Sequence, residues 1–88
     1  MILPINTIAW TPRSLKQLSK LDRRHNAAIR AGVDKLRSFP GTPNVKRLTN
    51  HFYGYRLRVG DYRVLFDFDG AVKIVTIEEV KKRDEHTY

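Results

Sequence analysis

The segment Tyr55–Phe66, YRLRVGDYRVLF, consists of two alternating runs separated by Gly60-Asp61. In each run apolar residues alternate with arginines at the two-residue period of a β-strand, so the two kinds of side chain lie on opposite faces. Gly60 and Asp61 stand where the two central residues of a tight hairpin would, and glycine adopts the required positive φ at low steric cost. The segment therefore predicts an antiparallel hairpin whose polar face carries Arg56, Arg58 and Arg63.

Two interpretations of these three arginines remain open. Arginine can simply solvate the exposed face of an antiparallel sheet. Alternatively, a planar and permanently charged guanidinium that binds phosphate through two hydrogen bonds has been placed three times on a rigid scaffold. A mixture of lysine and glutamate would solvate the face equally well, so the set of three favours a phosphate-binding function.

The composition narrows the class of protein. Eighty-eight residues are enough for one modest core, and we expect a single domain over residues 1–88. The chain has no cysteine, and no apolar run approaches the length of a membrane span, so we expect a cytoplasmic protein with no membrane partner. Seventeen Lys and Arg against nine Asp and Glu give a formal net charge of +8. That charge favours a polyanionic partner, and nucleic acid, an acidic protein or an anionic membrane surface would satisfy it.

The first half of the chain predicts one strand and two helices. Residues 5–10 alternate weakly, as in a short strand, and Thr11-Pro12 is typical of a helix start. Leu15, Leu18 and Leu21 form an apolar stripe on the first helix. Apolar residues at helical spacing predict a second helix that begins at about residue 23 and runs to residue 38. Gly32 within it is either a packing site or a sign that the helix boundary is misplaced. His25 is placed in the loop before that helix, at the surface.

The second half predicts strands. Residues 44–49 form a short strand or ordered loop, followed by strands over residues 52–59, 62–68 and 72–80. Asp69-Gly70 predicts a second tight hairpin, of type I′, and Asp67 and Asp69 are explained by that turn. The predicted fold class is α+β: two N-terminal helices packed on an antiparallel sheet with a C-terminal three-stranded meander, in two layers. The arginine-bearing side of that sheet is left open.

The order of elements, the segments Val45–Leu48 and Tyr55–Phe66, and the basic C-terminal run ending in tyrosine resemble the RelE/ParE superfamily of bacterial toxins, in particular the RelE branch. The resemblance covers nearly the whole chain. It implies a RelE-like toxin of a type II toxin–antitoxin system, a metal-independent endoribonuclease that needs no cofactor and cuts messenger RNA in the ribosomal A site. It also implies a cognate antitoxin that inhibits the toxin and through which the complex can repress its own promoter.

The resemblance also implies roles for individual residues. RelE-like toxins make the RNA 2′-hydroxyl attack the adjacent phosphate, and Arg63 matches an arginine that contacts the scissile phosphate. Arg56 and Arg58 match two basic residues on one strand. Fixed positive charge at a phosphate that gains charge in the transition state is a large catalytic contribution. Lys46 and Arg47 would guide RNA by counterion release, or would only solvate a sheet edge.

The C-terminal run supplies the candidates for proton transfer. Arg83 matches an arginine that precedes the terminal tyrosine or histidine of the family, and Lys82 can take its place. His86 exchanges a proton near neutral pH, and Tyr88 can act as the acid or stack on a base. In some relatives the histidine and tyrosine are adjacent, whereas Thr87 separates them here. As a polar chain terminus, the pair has a non-functional explanation as well.

Two other functions remain open. The ParE branch of the superfamily poisons DNA gyrase, which would make the arginines a surface feature. A non-catalytic module that binds RNA or an antitoxin would use them only for affinity. No His or carboxylate group in the sequence has convincing metal-ligand spacing, so no metal site is predicted.

Overall fold

The hairpin that the sequence predicts lies at the middle of the fold. A computed structural model describes residues 5–83, and in it strands β3 (Tyr55–Val59) and β4 (Tyr62–Asp69) pair antiparallel from Val59 opposite Tyr62 to Tyr55 opposite Phe66. Gly60 and Asp61 connect them, and Gly60 has φ +56°. Both the register and the positive φ of the glycine are as predicted.

Three more strands complete the sheet: β1 (Thr7–Trp10), β2 (Val45–Arg47) and β5 (Ile74–Lys82). The strand order is β1-β5-β4-β3-β2. All neighbours are antiparallel except β1, which runs parallel to β5, so the sheet is mixed rather than wholly antiparallel. A parallel pair needs a long connection, which the helices and the intervening strands supply here. The predicted α+β class with two helices packed on a sheet is confirmed.

Both helices begin at the residues that the sequence marks. Helix α1 (Pro12–Ser19) has Thr11 as its N-cap, whose hydroxyl accepts from Ser14 N at 3.1 Å. Helix α2 (Arg23–Asp34) has Asp22 as its N-cap. The α-helical part ends earlier than residue 38, because residues Lys35–Ser38 tighten into a 3₁₀ turn. His25 lies in the first turn of α2, so its predicted place in the preceding loop is wrong.

The core lies between the helices and one face of the sheet. Leu18, Ile29, Val33 and Leu36 supply the helical side, and Val64, Phe66, Val75 and Ile77 supply the sheet side. Leu15 is 46% exposed, so only part of the predicted leucine stripe enters the core. A Cβ atom added to Gly32 would lie 2.8 Å from Cγ2 of Val59, which makes Gly32 a packing site between α2 and β3.

The second turn differs from its prediction. Asp69 pairs with Ile74, so four residues, 70–73, connect β4 to β5 instead of a two-residue type I′ turn. The positive φ falls on Lys73, at 57°. The Asp69 carboxylate accepts from the N–H groups of Ala71 and Val72 at 2.9 and 3.4 Å, and these contacts explain its role in the turn.

Helix α1 covers the part of β5 that extends beyond β1. Thr11 N donates to Ile77 O, and the Thr11 hydroxyl donates to Glu78 O at 3.3 Å. Val80 N donates to Oε1 of Gln17 at 2.7 Å. These bonds flank a β-bulge in β5, where Glu79 faces Leu65 but Ile77 faces Phe66. No helix within residues 5–83 is long and apolar enough to cross a membrane.

Candidate nucleic-acid interface

Basic side chains gather on the face of the sheet opposite the helices. Arg58 lies directly opposite Arg63, Lys46 opposite Arg56, and Lys81 opposite Arg63 on its other side. Directly opposed residues in a sheet have Cβ atoms about 4.5–5.5 Å apart, so these charges are close neighbours. We call this set the arginine face: Lys46, Arg56, Arg58, Arg63 and Lys81.

Arg63 is the most buried member of the arginine face. It is 8% exposed, and its Nη1 donates to the carbonyl oxygens of Gly60 at 3.0 Å and Tyr62 at 2.9 Å. Within residues 5–83, Nη1 makes both bonds, so the Nε and Nη2 groups keep no hydrogen-bond partner in that part of the chain. The tight hairpin thus holds one end of the guanidinium in a fixed position and leaves donors at the other.

Electrostatics confirm that cations converge on Arg63. Burial, followed by the charges of Arg83, Arg56 and Arg58, lowers the pKa of Arg63 below its ordinary value, while Asp61 acts in the opposite direction. Repulsion among like charges at close range is unfavourable, and a bound anion would relieve it. This arrangement is therefore suited to a polyanion.

Arg58 and Lys46 are more accessible than Arg63. Both are exposed, while Arg56 is half-buried between them. Nη2 of Arg58 lies 3.5 Å from Oδ1 of Asn44, a long and therefore weak hydrogen bond. The face thus combines one buried, hydrogen-bonded guanidinium with exposed cations.

The same side of the sheet becomes acidic toward its other end. Glu79 lies 3.7 Å from Lys81 and 3.8 Å from Arg13. Burial, together with a hydrogen bond to Glu79, raises the pKa of Tyr53. Burial and a hydrogen bond with Asp67 raise the pKa of Glu78. A cavity of about 390 Å³ opens there. This acidic end was not predicted from the sequence, although the period-two alternation from Arg63 through Leu65 to Asp67 could have indicated it.

Asp67 has a different role from the predicted one. Its Oδ1 accepts a hydrogen bond from Gly54 N at 2.8 Å, which connects the loop before β3 to β4. Its carboxyl group is also hydrogen-bonded to Glu78. Asp67 therefore does not serve the turn after β4, and its assignment to that turn is wrong. His51 is exposed in the same loop.

The structure brings some of the predicted site residues together and separates others. Arg47 faces Tyr55 and Lys82 faces Tyr62, so both lie on the helix side of the sheet, away from the arginine face. Arg83 follows β5, its N–H donates to Asp61 O at 2.6 Å, and its charge acts on Arg63. His86 and Tyr88 lie outside the described residues. Within residues 5–83 no three His, Cys, Asp or Glu side chains are grouped as metal ligands.

Solved structures share this fold. The toxin–antitoxin complex RelBE2 from Mycobacterium tuberculosis is 29% identical with a TM-score of 0.79, over 92% of this chain and 100% of that one. The archaeal RelE–RelB complex from Pyrococcus horikoshii OT3 is 25% identical with a TM-score of 0.78, over 92% and 98%. A free mutant of E. coli RelE, at 19% identity and a TM-score of 0.73 over 93% and 87%, shares the fold.

The sequence is also similar to one family of proteins, although not to a curated protein. No curated protein sequence matches the chain. The family model described as the ParE toxin of type II toxin–antitoxin systems, parDE, matches residues 8–86. Because that match covers both helices and, apart from Thr7, all five strands, the chain belongs to the ParE toxin family and is a type II toxin of the RelE/ParE superfamily.

Proposed function

We propose that this toxin is a metal-independent endoribonuclease that cleaves messenger RNA and so inhibits translation. One observation carries the proposal: the immobilised guanidinium of Arg63 lies beside Arg58 on a face where further cations converge. The resemblance to the RelE branch and the RelE structures at 25% and 29% identity support the same conclusion.

The proposed chemistry is attack of an RNA 2′-hydroxyl on the adjacent phosphate. The phosphorus passes through a pentacovalent state with more negative charge on its oxygens, after which the 5′-oxygen leaves with a proton. Nε and Nη2 of Arg63 would donate to a non-bridging oxygen of the scissile phosphate, with Arg58 as a second catalytic cation. Donors positioned before the reaction need no reorganisation as this charge develops.

The remaining predicted residues would bind the RNA or transfer protons. Arg56 and Lys46 lie on the arginine face and would bind flanking phosphates. Arg83 would stabilise the phosphorane from the end of β5, and His86 and Tyr88 are the residues that the RelE resemblance implies for proton transfer. Arg47 and Lys82, which the sequence predicts to bind the RNA, lie on the helix side of the sheet and are not part of the proposed site.

The partners follow from the family and its structural neighbours. RelBE2 and the archaeal RelE–RelB structure are toxin–antitoxin complexes, and we infer that this chain also binds an inhibitory antitoxin. A net charge of +8 suits an acidic partner. We further infer that residues 1–88 form one RelE-like domain and that cleavage takes place on the ribosome.

Poisoning of DNA gyrase is the second candidate, because the matching family model is a ParE model. In that function the arginine face would bind an acidic protein surface or DNA, and cleavage of RNA would be absent. The two functions differ in the molecule that is damaged, so one set of cultures can separate them.

The test is primer extension on messenger RNA after brief induction, with a plasmid-supercoiling gel from the same cultures. We expect new 5′ ends within reading frames for the wild type and none for Arg63→Ala. Arg47→Ala is the matched control, because it removes the same charge from the helix side of the sheet. We expect it to cleave like the wild type.

Other outcomes would contradict the proposal. Intact messages with altered supercoiling would identify a gyrase poison. If messages stay intact and supercoiling is unchanged, the chain would be a non-catalytic binding module. Loss of cleavage in both arginine variants would mean that net charge matters and the geometry of Arg63 does not. Addition of purified chain to naked RNA, with and without ribosomes, then tests ribosome dependence.

A further inference from the structure

A second cleft lies on the helix side of the β3–β4 hairpin. It has a volume of about 370 Å³, within the range of small-ligand sites. Its walls come from the first turns of α2 and from the tip of the hairpin. Six of its lining residues matter here: Arg24, His25, Ile29, Val59, Asp61 and Tyr62.

Asp22 orients one wall of this cleft. Its Oδ1 accepts from the backbone N–H of His25 at 2.8 Å and lies 2.9 Å from Nδ1 of the same residue. That backbone bond and the nearby imidazole lower the pKa of Asp22. The His25 ring is held against Tyr62, with the ring centroids 5.1 Å apart and the planes at 51°. An exposed imidazole thus has a fixed orientation beside a second aromatic ring.

The cleft shares its hairpin with the arginine face. Val59 and Tyr62 line the cleft, and Arg58 and Arg63 are the next residue along each strand, on the opposite side. An RNA chain bound at Arg63 therefore has to pass only the two-residue tip of the hairpin, Gly60-Asp61, before it reaches the cleft.

The lining combines the groups that recognise a single nucleotide. Unpaired bases stack on His and Tyr rings and on arginine planes, and their Watson–Crick edges are bound by polar side chains. His25 and Tyr62 offer the rings, Arg24 offers a cation for a phosphate, and Asp61 offers a carboxylate. A carboxylate accepts from an exocyclic amino group, which adenine, cytosine and guanine carry and uracil lacks.

We propose that this cleft binds one nucleotide of the RNA that flanks the cleavage site. The base stacks against His25 and Tyr62, the phosphate lies at Arg24, and Asp61 favours bases with an amino group. This inference rests on the proposed function, since it assumes an RNA substrate. It adds a contact on the side of the sheet opposite the reacting phosphate.

The test is a titration of the isotope-labelled chain, residues 1–88, with AMP, CMP, GMP and UMP. Binding is measured by the changes in the amide NMR chemical shifts. Inorganic phosphate is the control ligand. We expect shifts at residues 24–29 and 59–62 with the nucleotides, weaker for UMP, and little effect there from phosphate. Because stacking contributes about 1–3 kcal/mol per base, His25→Ala should weaken binding about fivefold or more.

Arg24→Ala and its neighbour Arg23→Ala form the matched pair, since both remove one exposed charge from the start of α2 but only Arg24 lines the cleft. We expect weaker nucleotide binding in Arg24→Ala alone. The inference would be overturned if both variants bound nucleotides equally weakly or if the shifts were confined to the arginine face. It would also be overturned if inorganic phosphate shifted the cleft residues as much as the nucleotides do. These results differ from failure of the proposed function, which would show as intact messenger RNA in cells whether or not nucleotides bind the cleft.

Discussion

Replacement of Gly32 by alanine tests the packing between α2 and the hairpin that carries the arginines. An added Cβ would lie 2.8 Å from Cγ2 of Val59, closer than real Cβ contacts, while its other neighbours are at 3.8 Å. Val59 is β-branched and stiff at χ1, so it cannot move aside without leaving its rotamer or shifting β3. The substitution therefore strains the structure at one identified contact.

Two opposing effects determine how much Gly32→Ala changes the free energy of unfolding. Alanine favours a helix interior over glycine by about 1 kcal/mol. Overpacking of a filled site costs about 1–3 kcal/mol. The free energy of unfolding of Gly32→Ala should therefore fall by up to about 2 kcal/mol, and a loss of 1 kcal/mol lowers Tm by about 4–8 °C in a domain of this size.

A double-mutant cycle with Val59→Ala identifies the cause. Once Cγ2 of Val59 is gone, Gly32→Ala should stabilise the protein by about 1 kcal/mol, so its effect changes sign between the two backgrounds. Urea denaturation of the four proteins measures the cycle. Ala27→Gly, at an exposed position of α2, measures the propensity contribution alone. Equal effects of Gly32→Ala in both backgrounds would refute the contact.

Two further predictions concern α1 and the acidic end of the sheet. Because burial and Asp67 raise the pKa of Glu78 above 4.5, the folded protein binds a proton more tightly than the unfolded chain. The contribution of Glu78 to the free energy of unfolding therefore falls as pH rises from about 4.5 through the folded pKa. Urea denaturation at pH 4 and pH 7 should show that Glu78→Gln is more stable, relative to wild type, at pH 7 than at pH 4. Gln17→Leu removes the acceptor of Val80 N–H and should lower the free energy of unfolding by about 1–3 kcal/mol, measured by guanidinium denaturation; an unchanged midpoint would mean that water replaces the amide.

Several features of the fold and the candidate site could be predicted from the sequence, because they depend on residues close together in the chain. Alternation placed Arg56, Arg58 and Arg63 on one face, and Gly60-Asp61 set the register that puts Arg58 opposite Arg63. Thr11-Pro12 marked the start of α1. Each of these results follows from strand period, turn conformation or capping, and each involves at most about a dozen neighbouring residues.

Other features depend on contacts between distant parts of the chain, and only the tertiary structure decided them. The pairing of β1 with β5 joins segments more than 60 residues apart, and the bulge at Glu78 brings its carboxyl group to Asp67. The pairing of β2 with β3 placed Lys46 on the arginine face and Arg47 on the helix side. The packing of α2 against the hairpin places the exposed His25 in the wall of a cleft. Local sequence determines which face of its strand a side chain occupies, whereas its neighbours on that face depend on which strands and helices pack together.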